Sequence, residues 1–349
     1  MRRLMNTCRF SDRPFPRQQS NQESVTGEEV DLITDHSSLI THLVAAGLKS
    51  EILEMIPYLH YLVLKGFSFF INLLPEAWAL WVGRQLGRVA YYLDREHRCV
   101  SLQNLDRAFG KEKTKEELRR IAKKTFQNLG MTAIEFLRIP QMDLETVRRR
   151  MTIEGLEPTR ELLAKRNQDA LLMLSHFGNW ELMGWLTKVT GYSISVLARP
   201  VKKNPKVNEM VSEIRKCTGL EVISTEKASR KVLQALSRNG LVGILIDQRA
   251  KRSEGIWVDF FGNKAPTTPA LAVLAMRTGA PVIPIFMVRE EFYRHRVLIQ
   301  KPLALIHSGN IKKDVETNTQ LINDTLEAMI RQYPDQWFWV HRRWERKKK

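Results

Sequence analysis

Residues 171–183 read LLMLSHFGNWELM: a short apolar run meets Ser175-His176, and Phe-Gly-Asn-Trp separates that histidine from Glu181. An imidazole and a carboxylate are what acid–base chemistry needs. The carboxylate accepts one ring N–H and fixes the tautomer, which leaves the other nitrogen to take a proton. The same two side chains also make an ordinary surface pair at a loop, and residue types alone leave both readings open. Spacing adds a constraint. Residues five apart on an α-helix point about 140° apart, so His176 and Glu181 meet only if the histidine precedes the helix that carries the glutamate. Gly178 and Asn179 tolerate unusual backbone angles and stand where the chain must turn back.

Three further places hold polar residues that packing does not require. VLARPVKKNP ends a strand pattern on Arg199-Pro200. Arg215 lies near the end of a helical pattern in SEIRKCTG, where it either caps the last carbonyls or serves a site. Asp247 and Gln248 follow the strand pattern LVGILI. His176, Arg199, Asp247 and Gln248 thus fall at carboxyl ends of strands, the edge where open α/β sheets bind ligands.

The elements that must position these residues follow from periodicity. Strands are expected at 170–175, 193–198, 220–224, 241–247, 281–288 and 296–300. Helices are expected at about 181–190, 206–217, 226–238 and 268–278, with a last long helix ending before Pro334. This alternation predicts an α/β fold with a mixed, largely parallel sheet flanked by helices. Residues 76–140 read as helical, with Thr114 and Glu117 spaced as a capping box. Phe260 and Phe261 read as core within VDFFGNKAPTTPAL, a Gly- and Pro-rich loop that opens a helix.

The amino-terminal part has a different composition. Residues 1–50 are polar and turn-rich, an extension expected to be disordered or weakly ordered. Residues 51–140 form a helical region, followed by an α/β domain over 141–349 with a basic, aromatic tail. IPYLHYLVLKGFSFFINLL, from Ile56, approaches the roughly 20 residues that cross a bilayer, but His60, Lys65 and Asn72 interrupt it. It is either a membrane-associated helix, as a marginal span or an interfacial segment, or a buried helix of the domain.

Composition bounds the partners. With 55 Lys and Arg against 38 Asp and Glu, the 349-residue chain carries a formal charge of +17. Nucleic acid, anionic lipid and an acidic carrier protein all fit that balance. The three cysteines are scattered, without a Cys-x-x-Cys pair, which argues against a disulfide framework or a zinc site. The stretch WFWVHRRWERKKK interleaves tryptophans with cations, suiting single-stranded nucleic acid or an anionic membrane surface.

Taken in order, SHFGNWE, ARPVKKNP with Arg215 beyond it, GILIDQRA, VDFFGNKAPTTPALAVLAMRTGAPVIP and YPDQWFWVHRRW resemble the bacterial lipid A late acyltransferases, within the lysophospholipid acyltransferase superfamily. The resemblance covers residues 55–346 and implies an inner-membrane enzyme whose site faces the cytoplasm. Such an enzyme moves a fatty acyl group from acyl carrier protein, or acyl-CoA, to a hydroxyl of a lipid A precursor or related glycolipid. By position, His176 and Glu181 fall on the family's His-x4-acid motif as catalytic residues, His176 as general base and Glu181 orienting it. Arg215 and Asp247 fall on further positions implicated in substrate binding or activity, with Asn179, Arg199 and Gln248 beside them as substrate-binding candidates. The resemblance implies direct attack on the thioester, with no covalent acyl-enzyme, metal or cofactor. Arg215 or backbone N–H groups would hold either the oxyanion or an acceptor phosphate. Leu197-Ala198 stand before Arg199 where an aromatic is expected, and the front extension has no family counterpart, which bears on substrate choice. The alternatives are an acyltransferase for another glycolipid or lysophospholipid and, more remotely, a basic nucleic-acid-binding module without enzyme activity.

Overall fold

The computed structural model describes residues 56–344 apart from 166–168, 199–203 and 225–227. The chain divides into two compact units, Met1–His60 and Tyr61–Lys349. Of the first unit only 56–60 is described, as the opening of a helix over 56–73 (α1), so the reading of residues 1–50 lies outside the described residues.

Three long helices follow, α2 (Glu76–Leu93), α3 (Arg95–Phe109) and α4 (Lys115–Arg138). Thr114 and Glu117 form the expected capping box: the Thr114 hydroxyl accepts from Glu117 N at 3.3 Å, and the Glu117 carboxylate accepts from Thr114 N at 2.8 Å. Helices α2 and α4 touch backbone to backbone. A Cβ on Gly87 would lie 2.1 Å from Phe126 O, and one on Gly130 would lie 2.1 Å from Gly83 O. Only glycine at these positions permits the crossing. Arg138 ties the end of α1 to α4 by donating to the carbonyls of Ile71 and Leu74 at 2.7 and 3.0 Å.

Beyond α5 (Leu144–Arg150) the chain enters a seven-stranded sheet. In chain order come β1 (Met151–Glu154), α6 (Leu156–Ala164), β2 (Ala170–Leu174), α7 (Leu186–Thr190), β3 (Ile194–Ala198), α8 (Pro205–Cys217), β4 (Glu221–Ser224), α9 (Ala228–Leu236) and β5 (Leu241–Leu245). A hairpin of β6 (Ile256–Phe260) and β7 (Asn263–Thr267) precedes α10 (Ala270–Thr278), β8 (Val282–Arg289), β9 (His295–Ile299) and α11 (Ile311–Gln332). The sheet order is β1-β9-β8-β2-β5-β3-β4. Strands β8, β2, β5, β3 and β4 run parallel; β9 runs antiparallel to β8, and β1 runs with β9. The sheet is therefore mixed and largely parallel, as expected.

Both faces are covered. Leu171 and Met173 of β2 enter one core with residues of α10 and α11, whereas Ala170 and Leu172 enter another with Trp185, Leu186 and Ile214. On β8, Val282, Phe286 and Val288 divide from Ile283, Ile285 and Met287 in the same way. A strand buried on both faces reads as an unbroken apolar run, which is why β2, β5 and β8 stand out in the sequence.

Three features differ from expectation. The segment 181–190 is a 3₁₀ turn, Leu182–Trp185, that runs into the short α7. VDFFGNKAPTTPAL contains a β-hairpin, with Phe261 and Gly262 at φ 50° and 65° in its two-residue turn. Cys217 is an exposed free thiol. The aromatic tail is not presented to a membrane or nucleic acid: Trp337, Trp339, Arg343 and Trp344 are all buried. Residues 336–344 form a strap across the protein. Asn104 of α3 donates to Trp339 O and His341 O at 2.8 and 2.7 Å, and Arg343 donates to Pro266 O at 3.0 Å and Asn323 Oδ1 at 3.1 Å.

Among the described residues no helix is long and apolar enough to cross a membrane. Yet α1 and α2 leave large apolar side chains exposed, Val63, Phe69, Phe70 and Leu73 on the first and Trp78, Trp81, Val89 and Tyr92 on the second. At about 100° per residue the first set falls within about 120° and the second within about 80°, one stripe on each helix.

The glycine crossing yields a test of the helical layer. Gly130→Val is expected to destabilise the protein by about 1–3 kcal/mol or more, as overpacking does. Gly66→Ala, whose Cβ meets nothing within 4 Å, is expected to gain about 0.5–1 kcal/mol of helix propensity. Denaturant unfolding of both variants checks the contrast.

Candidate active site

Strand β2 ends at Leu174, and the chain leaves the sheet through Ser175 to His176. Two residues past the end of neighbouring β5 stands Asp247. Parallel pairing of β2 with β5 in register brings these two exits side by side, and Ile246 N donates to Leu174 O at 3.1 Å. The His176 ring Nδ1 lies 2.9 Å from Asp247 Oδ1, and the His176 backbone N–H donates to Asp247 Oδ2 at 3.0 Å. A third donor comes from the carboxyl-terminal strap: Trp337 Nε1–H donates to Asp247 Oδ2 at 2.9 Å.

The Asp247 side chain is 2% exposed and that of His176 15%. Burial alone would raise the Asp247 carboxyl, but the His176 charge and the hydrogen bonds from His176 and Trp337 outweigh it and hold the group below the usual carboxylate range. Burial alone would likewise lower the imidazole. The Asp247 charge and hydrogen bond, with a smaller contribution from Glu181, overcome that and raise His176 above its ordinary value.

Glu181 does not bond His176. Its carboxylate takes a bidentate pair from Arg215, Nε to Oε2 at 3.0 Å and Nη2 to Oε1 at 2.7 Å, with Trp180 Nε1 donating to Oε1 at 3.2 Å. The expected bond of the imidazole to Glu181 is corrected to one to Asp247. The physical reason is geometric: a bidentate guanidinium fits the Glu181 carboxylate, while the register of β2 and β5 delivers Asp247 to Nδ1. Asp247 turns its oxygens to His176 and Trp337 and is a partner of the histidine.

Asn179 lies beneath the loop. It is fully buried; its Nδ2 donates to Glu135 Oε2 at 2.7 Å and its Oδ1 accepts from Leu182 N at 3.3 Å, so both ends of the amide are used within the protein. Glu135 in turn receives Arg289 and His295, the latter with Nε2 at 2.9 Å from Oε1. Burial would raise the Glu135 carboxyl, but the Arg289 and His295 charges hold it down to about 2. Gly178 takes φ 56°, and a Cβ there would lie 1.7 Å from Met287 O. The turn that separates His176 from Glu181 is thus fixed from below by a buried ion network and from one side by β8.

Arg215 lines an open groove of about 510 Å³ with Ser212, Lys216 and Glu221. Gln248 is exposed just past Asp247, and Arg199 lies outside the described residues. The His176 ring packs between Trp180 and Phe338, with ring centroids 5.1 and 5.5 Å away. The site therefore gathers His176, Asp247, Glu181 and Arg215 and leaves Asn179 beneath it. Sequence reasoning missed Glu135, Arg289, His295 and Trp337 as parts of the support. A faint signal existed for Glu135, a carboxylate three and four residues past buried Thr132 and Met131 on α4.

Comparison with known proteins identifies the family. Residues 46–346 match the family described as bacterial lipid A biosynthesis acyltransferase. A lipid A biosynthesis palmitoleoyltransferase of Escherichia coli (strain K12) is 23% identical over 274 residues, 78% of this chain and 86% of its own length. A lipid A biosynthesis myristoyltransferase of the same organism is 22% identical, covering 76% of this chain and 86% of its own. A phosphatidylinositol mannoside acyltransferase of Mycobacterium tuberculosis (strain ATCC 25618 / H37Rv) is 29% identical, over 63% of this chain and 69% of its own. With six-sevenths of the sequence inside one family match, this chain is an acyltransferase of the bacterial lipid A biosynthesis acyltransferase family.

Proposed function

We propose that the protein transfers a fatty acyl chain from a thioester donor, acyl carrier protein or acyl-CoA, to a hydroxyl of a lipid A precursor or related glycolipid. The observation that carries this reading is the His176–Asp247 bond at the carboxyl edge of the sheet. With Nδ1 committed to a buried carboxylate, Nε2 is the nitrogen left to act as base. Nε2 takes the proton of the acceptor hydroxyl as its oxygen attacks the thioester carbonyl. The tetrahedral intermediate then collapses, the C–S bond breaks, and the thiolate leaves with the proton from the imidazolium. Asp247 holds the tautomer and stabilises the imidazolium that forms between the two proton transfers. Glu181 enters through Arg215, fixing the guanidinium at the mouth of the groove, where cations suit a phosphorylated headgroup.

The relatives named for palmitoleoyl and myristoyl transfer to lipid A favour that acceptor. The relative named for phosphatidylinositol mannoside supports a second reading, in which the acceptor is another glycolipid. Purified protein given a radiolabelled acyl thioester with lipid A precursor, phosphatidylinositol mannoside or lysophosphatidate in separate reactions decides between them. Labelling of lysophosphatidate alone would overturn the glycolipid reading.

We also place the enzyme at a membrane surface, through the outward apolar stripes of α1 and α2. Phe69, Phe70, Trp78 and Trp81 form an exposed patch of the kind that seats in a lipid interface, where an acyl-chain substrate resides.

Three outcomes are expected. His176→Ala lowers kcat by about 10²–10⁴-fold, the usual contribution of a general base. Asp247→Asn lowers the plateau rate and also moves the acidic limb of kcat/KM to lower pH, since a neutral amide no longer raises His176 and the base stays deprotonated further into acid. Full acyl transfer by His176→Ala would sink this mechanism. For the surface, combined replacement of Phe69, Phe70, Trp78 and Trp81 by serine is expected to shift the protein from the floating to the soluble fraction in vesicle flotation, with its circular dichroism unchanged.

A further inference from the structure

The carboxyl-terminal strap carries three buried tryptophans, and their indole N–H groups have three different fates. Trp337 donates to Asp247 Oδ2 at 2.9 Å, Trp339 donates to the backbone carbonyl of Pro334 at 2.6 Å, and Trp344 has no hydrogen-bond partner. The same strap grips the histidine loop by its backbone. Phe338 N donates to His176 O at 3.1 Å, Gly178 N donates to Gln336 O at 2.8 Å, and Phe177 forms an isolated antiparallel bridge with Trp337. The Gln336 side chain in turn exchanges bonds with the backbone of Arg289, accepting from N at 2.7 Å and donating to O at 2.8 Å.

A carboxylate offers about four lone-pair directions. Asp247 fills one on Oδ1 with the imidazole and two on Oδ2, one with His176 N–H and one with the indole. Without the indole the carboxylate keeps two contacts, both from one residue, and can rotate about the Cβ–Cγ bond. The indole arrives from a separate segment and closes that rotation.

We propose that Trp337 is a positioning residue for the proton-transfer pair: its indole N–H locks the Asp247 carboxylate in the orientation that presents Oδ1 to His176 Nδ1. This rests on the reading of His176 as the base. The charged groups that act on the pair are Glu181 and Arg215 from the opposite side of the loop and Arg343 from the strap. His341, also on the strap, lies in the fields of Asp247, His176, Arg249 and Arg343. None of them donates to Asp247 Oδ2, so none replaces the indole.

The three tryptophans supply matched variants, each a Trp→Phe change at a buried site. Trp337→Phe is expected to lower kcat by about tenfold or more, the scale of a lost hydrogen bond to a charged group, with KM little changed. It should also move the acidic limb to lower pH, in the direction of Asp247→Asn, because a carboxylate free to rotate away from Nδ1 raises His176 less. Trp339→Phe and Trp344→Phe are expected to leave the limb in place, whatever they do to stability. A limb that stays put in Trp337→Phe, or moves equally in Trp339→Phe, overturns the proposal. Should Trp337→Phe fail to fold, the unmodified protein gives the answer by NMR. The Trp337 indole N–H resonance should titrate with His176 while those of Trp339 and Trp344 do not, and a Trp337 signal that ignores that titration overturns the proposal. Failure of the site reading itself looks different, since His176→Ala would then retain full acyl transfer whatever Trp337 does.

Discussion

A carboxylate held almost wholly out of water at the carboxyl edge of a sheet is the constraint around which this protein is arranged. An ionised side chain in such a place is tolerated only when hydrogen bonds and opposite charge replace the solvent it has lost. Asp247 meets that demand with donors from two distant stretches of chain, the exit of β2 and the strap after α11. The donors cannot be satisfied unless β2 and β5 pair in the observed register and the strap crosses the loop. Solvation of one buried charge thus specifies strand register, loop path and the course of the carboxyl-terminal strap together.

A second buried carboxylate, Glu135, plays the corresponding part beneath the loop. Its partners Asn179, Arg289 and His295 come from the loop, from the end of β8 and from the start of β9. The two centres are complementary. Asp247 sets the orientation of the imidazole, and Glu135 sets the turn that carries the chain from His176 to Glu181. Neither needs a flexible surface residue, so the site is pre-organised in the way that electrostatic catalysis favours.

Much of this was legible in the sequence, for reasons that can be named. Strands β2, β5 and β8 are buried on both faces and read as continuous apolar runs, so their ends, and therefore His176 and Asp247, were placed within a residue or two. His176 does precede the turn at Leu182–Trp185, but Glu181 lies just before that turn and not on a helix, and it pairs with Arg215. The pairing did not follow, because nothing local indicates that His176 prefers a carboxylate 71 residues away to one five residues away. The tail was misread for a related reason. Tryptophan interleaved with arginine has the same composition whether it faces lipid, nucleic acid or a protein interior, and only the contacts of Asn104, Asn323 and Pro266 with the strap distinguish the last case.

The strap has a further consequence, in time instead of space. It follows every strand of the sheet in chain order, yet Trp337 closes on Asp247 across 90 residues and Asn104 binds Trp339 across 235. Contacts of such long sequence separation form late, because a large loop must close before they yield anything. During synthesis the sheet and its helices emerge with Asp247 still short of one donor. The chain thus completes the hydrogen bonding of Asp247 as a late step of folding, and until the strap closes that carboxylate lacks the Trp337 donor.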